Sequence, residues 1–571
     1  MYHQKDLVEP GLREGPPGSA ASQALEPATT TEKRKMVFNL VYAIVLFALT
    51  YVLMLAFSKY RPYIALASAL IFIVTGMLPL NQIIGAIDFN VLLMIAGTMG
   101  LVQLFIDSRM PALLADLIME KVPNIQIAAV ALALFAGIIS AFVDNVATVL
   151  MVAPIALEIC KKLKTNPVPF IIAIAVSSNL QGAATLVGDT TAIMLGSYAD
   201  MSFLDFFIYQ GKPGMFFAVE LGAIISAIIL AILFRKEKAP VPKGAPRTQV
   251  NDYVPTVLLV GMIVILICAS FIPEKPDITN GLICVALMVV GILYTFLKTR
   301  KVSAVTGPLK AIDFETIGLL FGLFLVIGGI SNMGVIDAVA DLIARVSGGN
   351  LFLIYTVIVW ASVLFSAFID NIPYVATMLP VVTGLAATLG VDPTVLYFGL
   401  LSGATLGGNC TPIGASANIA GIGILRKNGY EVKTSDFCRI GIPFTLAAVI
   451  PAYIYIWLLF GIGAGLSPAA QYGGRRSFPA AAWAFCRSWT GRKFRVIFLL
   501  TFPSIPVRIS IVRLDPENRI LVRRTVYRNT QKAAGTPPRI AVRGGMPCSP
   551  GRRRDRVRPV IVMITGRAFF I

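Results

Sequence analysis

A carboxylate followed by an amide stands twice in the middle of long apolar sequence, and this pairing limits what the chain can fold into. Ser140-Ala-Phe-Val-Asp144-Asn145-Val146 recurs 226 positions later as Ser366-Ala-Phe-Ile-Asp370-Asn371-Ile372, and each aspartate is followed ten residues on by a proline, Pro154 or Pro380. The register continues downstream, where Gly182, Thr185 and Gly188 fall on Gly408, Thr411 and Gly414. Upstream it is one residue shorter, with Asp88-Phe89 on Asp313-Phe314 and Ala115-Asp116-Leu117-Ile118 on Ala340-Asp341-Leu342-Ile343. A duplicated unit that carries ionisable groups to membrane depth reads as a two-fold transporter with its site between the halves.

Composition agrees with a chain that lives in lipid. Charged residues make up 14% of the 571 and hydrophobic ones 56%, where a soluble domain carries about 25% charged. The one histidine, His3, and cysteines without a C-x-x-C pair argue against a zinc centre or a disulfide framework, so no cofactor is expected. Residues 1–35 read as a polar, disordered leader without a cleavable signal peptide, and Met36 is a candidate start of the first span. Residues 467–571 hold 19 Arg and 2 Lys against three acids, which accounts for +18 of the net charge of +19. That tail lacks helical or strand periodicity and reads as a disordered or non-native extension rather than a nucleic-acid module.

About 20 apolar residues cross a bilayer. Ten stretches qualify: 36–57, 63–80, 88–106, 168–198, 214–234, 254–273, 278–297, 314–331, 394–424 and 441–463. Two longer segments, 125–163 and 351–389, carry the Asp-Asn pairs near their centres and read as re-entrant hairpins, because non-helical backbone at depth must line protein or water. Five crossings separate the starts of the first repeat (36–234) and the second (254–463), so the second enters from the opposite face. The expected fold is an all-α polytopic membrane protein: an inverted repeat of two five-crossing units, each with a re-entrant hairpin and a broken helix. Amphipathic stretches 110–121 and 335–347 precede the hairpins. Twenty Lys and Arg on one side against six on the other put the first hairpin's base and the linker 235–253 in the cytoplasm, across a cytoplasmic membrane.

Asp144, Asn145 and Thr148, with their counterparts Asp370 and Asn371, offer hard oxygen ligands suited to Na⁺ or, at a buried carboxyl, to a proton. The same Asp or Asn is also a standard helix N-cap, and the two roles are compatible. Each broken span supplies the rest: Asn179, Thr185, Gly188 and Asp189 in one, Asn409, Thr411, Gly414 and Asn418 in the other. Their glycines permit unwinding, and freed N–H groups at a resumed helix can face an anion. Close packing through small residues is the alternative, although it does not call for the amides. Asp189 has no acidic counterpart, since Ala415 stands at its repeat position, and reads equally as an element of ion coupling or a cap.

Ser140-Ala-Phe-Val-Asp-Asn, Ala184-Thr-Leu-Val-Gly-Asp189 and Ser366-Ala-Phe-Ile-Asp-Asn-Ile-Pro373 give residues 36–463 a resemblance to the ion transporter superfamily. The similarity is to its branch of arsenite permeases, NhaD-type antiporters and the melanosomal P protein, with citrate and dicarboxylate symporters as more distant relatives. It implies inverted repeats, a midplane site between two hairpin tips, and a homodimer. By that resemblance Asp144-Asn145 and Asp370-Asn371 take the tip positions and Thr185, Gly188, Thr411 and Gly414 the broken-span positions. Thr190-Thr191-Ala192 departs from the Pro-Pro-Asn-like run of many relatives, and Asp at the tips would repel a carboxylate unless a cation intervened. The expectation is therefore a secondary active transporter, not an enzyme, that moves a small ion (an inorganic anion or Na⁺) coupled to H⁺ or Na⁺. A Na⁺-coupled citrate or dicarboxylate symporter and a passive channel are the alternatives. The expected partners are the ion and membrane lipid, and no nucleic acid.

Overall fold

The computed structural model describes residues 30–163, 165–241, 247–273 and 275–462, together with the backbone of four short strands between 509 and 570. The leader 1–29 and most of the Arg-rich tail lie outside the described residues. The first half of the chain runs through α1 (Thr30–Ala56), α2 (Arg61–Val74), α3 (Ile83–Ala86), α4 (Phe89–Asp107), α5 (Met110–Met119), α6 (Ile125–Ser140), α7 (Asn145–Leu163), α8 (Val168–Gly182), α9 (Thr190–Tyr198) and α10 (Met215–Leu233). A two-residue ribbon, β1 (Ile208–Tyr209) and β2 (Lys212–Pro213), precedes α10. The second half follows with α11 (Val254–Ser270), α12 (Thr279–Thr299), α13 (Ser303–Ala311), α14 (Phe314–Asn332), α15 (Val335–Val346), α16 (Leu351–Ser366), α17 (Asn371–Leu389), α18 (Thr394–Leu401), α19 (Ser416–Lys427) and α20 (Thr434–Ile456). Strands β3 (Ile509–Leu514), β4 (Ile520–Arg524), β5 (Ile561–Ile564) and β6 (Arg567–Phe570) pair as an antiparallel sheet in the order β4-β3-β5-β6 within a separate unit.

Local start signals recur at matched positions. Asp88 accepts from Val91 N to begin α4, and Asp313 accepts from Thr316 N to begin α14, both at 3.0 Å. Asn124 caps α6 through Ile127 N at 2.9 Å, and Asn350 caps α16 through Leu353 N at 3.1 Å. Such side-chain oxygens satisfy N–H groups that a helix start leaves orphaned. The two long segments expected to fold back break where the sequence places the Asp-Asn pairs, and α15 meets α16 with a 117° bend.

The positions of the hairpin ends follow from hydrogen bonds and ring contacts around α10. Ile125 N donates to Ala239 O at 3.0 Å and Gln126 N to Glu237 O at 2.8 Å, so α6 starts where α10 ends. Phe170 lies 5.7 Å from Phe234, so α8, and with it the end of α7, returns to that same place. At the other end of α10, Lys212 Nζ donates to Leu459 O at 2.6 Å. There Phe352 of α16 meets Trp457 edge-on at 4.7 Å, and Phe398 of α18 lies 5.1 Å from Phe460. The open ends of the two hairpins therefore sit at opposite ends of α10, which spans about 28 Å at the helical rise per residue. Helices α10 and α20 run antiparallel: Ser226 Oγ donates to Phe444 O at 3.0 Å, and Gly222 abuts Ala448.

A second group of helices packs outside this core. Gly97 of α4 faces the backbone of Cys284–Val285 in α12, and Gly322 of α14 faces Ala65–Leu66 in α2, with no room for a Cβ at either contact. Small residues of this kind allow helix backbones to approach closely in lipid. Outward faces of α10, α11 and α12 expose Ile224, Ile228, Val257, Val264, Leu293 and Leu297, as a lipid-facing surface would.

Among the described residues, six helices are individually long and apolar enough to cross a membrane, or seven if the bent pair is counted as one span. The sequence expectation of ten crossings, some of them broken, is accordingly revised in number, while the breaks fall in the two spans expected to carry them. Stretches 168–198 and 394–424 are each split into half-helices, while α2 and α11 are shorter than a full span. Helix α1 also begins at Thr30, ahead of Met36. On the surface, Arg247 of the linker clamps Glu120 in a bidentate pair at 2.7 and 2.9 Å, and these hydrogen bonds hold the Glu120 carboxyl below the usual range. Thr248 binds Asp116 through both N and Oγ1.

Candidate functional site

Both hairpin turns are held by the same device. The Thr185 hydroxyl donates to Ala141 O, and its repeat counterpart Thr411 donates to Ala367 O. Beside each threonine a glycine lets the two backbones meet. A Cβ on Gly188 would lie 2.6 Å from Ser140 O, and one on Gly414 would lie 2.6 Å from Ser366 O. Asn418 Nδ2 bridges Gly408 O and Thr411 O at 3.0 Å each, which ties the unwound second span together. Thr185, Gly188, Thr411 and Gly414 thus clamp the hairpin turns onto the broken spans.

Between the clamps lies a buried polar junction centred on Asp189. Asn145 Nδ2, at the first hairpin tip, lies 3.3 Å from Asp189 Oδ1. Asn371 Nδ2, at the second tip, lies 3.4 Å from Asp189 Oδ2. One carboxylate therefore receives an amide from each hairpin. Thr191 Oγ1 also donates to Asp189 Oδ2, at 2.6 Å. Its single proton being used there, Thr191 accepts from Thr405 Oγ1 at 2.9 Å. Asn145 Nδ2 additionally donates to Asn179 Oδ1 at 3.0 Å. Asn179 Nδ2 reaches across to the second span, to Thr405 O at 2.7 Å and Asn409 Oδ1 at 3.1 Å. Asn145, Asn179, Asp189, Asn371, Asn409 and Asn418 are all buried. Buried networks of this type fix geometry only when their members are satisfied. Here Asn418 Oδ1, Asn409 Nδ2 and Thr148 Oγ1 are buried without a hydrogen-bond partner among the described residues.

The two tip aspartates differ. Asp370 accepts from Ile372 N at 3.2 Å and Ser416 Oγ at 3.0 Å, and its Oδ2 lies 3.3 Å from Arg61 Nη1. Asp144 accepts from Ala147 N at 3.0 Å, and among the described residues no Lys or Arg nitrogen forms an ion pair with it. It borders a cavity of about 380 Å³. Asn145, Asp189, Thr190, Asn371 and Ser416 line that cavity from the two hairpins and broken spans, and Gln103, Lys310, Asp313 and Thr316 line it from α4, α13 and α14. Three carboxylates thus border the cavity with one lysine.

Asp144, Asn145, Asn179, Asp189, Asp370, Asn371 and Asn409, named from sequence, are brought together at this junction, whereas Thr148 lies inside the arm α7, away from the cavity wall. Arg61, Thr191, Thr405, Ser416, Lys310 and Asp313 were not singled out as ligands. Arg61 and Lys310 read as loop charges in the topology count, because nothing local distinguishes a charge at a membrane surface from one that turns inward. Thr190 and Ser416 occupy equivalent repeat positions beside Asp189 and Ala415, and that equivalence was an available signal.

This architecture, polytopic and helical with broken spans meeting inward hairpins, is that of a membrane transporter. The chain belongs to the CitMHS citrate transporter family, whose profile matches residues 44–401 and again residues 281–565. It is 29% identical over 428 residues to the Mycobacterium tuberculosis protein "Uncharacterized transporter MT2759", covering 74% of this chain and 99% of that one. It is also 33% identical over 330 residues to the Mycobacterium leprae "46 kDa membrane protein", covering 56% and 74% respectively. The human P protein is 25% identical over 497 residues, covering 73% of this chain and 58% of its own. Among solved structures, the Alcanivorax borkumensis YdaH transporter superposes with a TM-score of 0.48 at 14% identity, covering 76% of this chain and 99% of that one. The protein is an integral transporter of the cytoplasmic membrane, not an enzyme.

Proposed function

We propose that this protein is a secondary active transporter that moves a small ion, an inorganic anion or Na⁺, coupled to H⁺ or Na⁺, through a site where two inverted repeats meet. One observation carries the reading: a single buried carboxylate, Asp189, is bonded by the tip amides of both hairpins. A cation or proton that binds there alters the contacts of both tips at once, which is the differential interaction that coupling requires. The antiparallel course of α10 and α20, with the hairpins opening at opposite ends, supports the inverted relation. Carboxylate, amide and hydroxyl oxygens are the hard donors that a monovalent cation takes. In this reading Asp144, Asn145, Asp189 and Asn371 bind the ion, Asp370 completes the second tip beside them, Asn179, Asn409 and Thr191 orient them, and Asn418 supplies a further acceptor.

A second reading follows from the family description. A citrate or dicarboxylate entering this cavity meets Asp144, Asp189 and Asp313, with Lys310 the one opposed charge on its wall among the described residues, so it must travel with cations that offset the repulsion. Both readings are separated by counterflow in proteoliposomes with Na⁺, arsenite, sulfate, succinate and citrate, each with and without an imposed Na⁺ or H⁺ gradient. Uptake above equilibrium that collapses with the gradient is the expected result. Gradient-independent flux of every ion would identify a passive channel and overturn both.

A further inference from the structure

The repeat predicts two equivalent carboxylates, but the fold gives them different companions. Arg61 opens α2, outside both hairpins, and its Nη1 lies 3.3 Å from Asp370 Oδ2 while Nε donates to Met54 O at 3.3 Å. The pair is largely enclosed, its side chains 17% and 10% exposed. A guanidinium keeps its proton in a protein, so a permanent positive charge stands against the second carboxylate. The other donors there, Ser416 Oγ and Ile372 N, complete that carboxylate's shell. At the first tip, Asp144 has a backbone donor, Ala147 N, and faces the cavity shared with Asp189. Lys310 lines the same cavity and forms no ion pair with Asp144 among the described residues.

We infer that Arg61 is a tethered cation that stands in for a coupling ion at Asp370, leaving the chain with one exchangeable monovalent-cation site, at Asp144 and Asp189. The inference rests on the cation-coupled reading above and fixes its stoichiometry. An exchangeable ion leaves with each cycle, whereas a guanidinium on α2 cannot. The duplicated sequence thus retains two carboxylates while the turnover of charge is that of one. The Asp370 pair also links α2, which packs on α14, to the second hairpin, so it holds that tip in place whether or not an ion is bound.

The test counts bound cations rather than transport. Purified full-length protein in detergent is assayed for ²²Na⁺ at pH 8, and for protons by potentiometric titration, in the wild type, Arg61→Gln, Arg61→Lys and the double variant Arg61→Gln/Asp370→Asn. The wild type and Arg61→Lys bind one cation per chain, Arg61→Gln binds two, and the double variant returns to one. Two cations bound by the wild type, or equal counts for the wild type and a folded Arg61→Gln, would overturn the inference. If Arg61→Gln does not fold, the wild-type count decides alone. A wild type that binds neither ion while Arg61→Gln gains one would retain the role of Arg61 and remove the cation-coupled reading instead.

Discussion

The two hairpin tips share a backbone and differ in electrostatics. Each is pinned by a threonine hydroxyl and a closely approaching glycine at repeat-related positions. Yet one aspartate is paired with Arg61 and the other borders the cavity, and only the first broken span carries an acid at the junction, since Ala415 stands at the repeat position of Asp189. The sequence duplication therefore accounts for the matched clamps, and the departures from it put the two tip carboxylates in different surroundings. A perfectly symmetric pair of carboxylates would bind two like ions. In the proposed reading, one fixed cation plus one central carboxylate would give the two halves distinct tasks.

The sharpest way to break this comparison is at the shared carboxylate. Asp189→Ala leaves the Asn145 and Asn371 amides with a lost acceptor, a cost of about 1–3 kcal/mol for each buried polar group. Gradient-driven uptake in proteoliposomes should fall by roughly 100-fold or more, the scale of 2.7 kcal/mol in a rate, with the protein still inserted. Uptake within a factor of two of wild type would remove Asp189 from the mechanism.

The clamps should respond alike, because they are duplicated. Gly188→Ala and Gly414→Ala each force a methyl against a hairpin carbonyl, and overpacking of this kind costs about 1–3 kcal/mol. Thermal melting in detergent should show losses of similar size for the two. A large loss in one alone would mean the clamps are not equivalent. Thr185→Val and Thr411→Val should each cost less, about 1 kcal/mol for the hydrogen bond removed.

The smallest effect is expected far from the tips. The lowered pKa of Glu120, set by its hydrogen bonds to Arg247, contributes stability at neutral pH that disappears only as pH falls through the folded-state value, below the ordinary glutamate range near 4.3. Both groups are exposed, so Arg247→Gln should leave the melting temperature at pH 7 and the uptake rate unchanged within error. A marked loss of uptake would show that the linker takes part in the transport cycle.

Much of this frame was legible in the chain. The polar pairs at Asp144 and Asp370 interrupt apolar runs whose ends coincide with α6–α7 and α16–α17, since a break at membrane depth leaves a strong compositional mark. Gly188 and Gly414 read as positions that permit unwinding, and their close approach to the hairpin carbonyls came only with the structure. The role of Asp189 was not decidable, because a cap and a coupling carboxylate carry the same local signature. Its partners Asn145 and Asn371 come from opposite halves of the chain. Arg61 was missed for a related reason: its partner lies 309 residues away, and charge counting treats every basic residue near a span end as a surface group.

The claim on which the account depends is that the two tips meet at one carboxylate. Cysteines placed at Asn145 and Asn371, in a chain whose native cysteines have been replaced, test it directly with a short bifunctional thiol reagent and a protease site in the linker 235–253. The account predicts an intramolecular cross-link that holds the two halves together after cleavage. Separate halves, from a chain in which each thiol alone reacts, would contradict it.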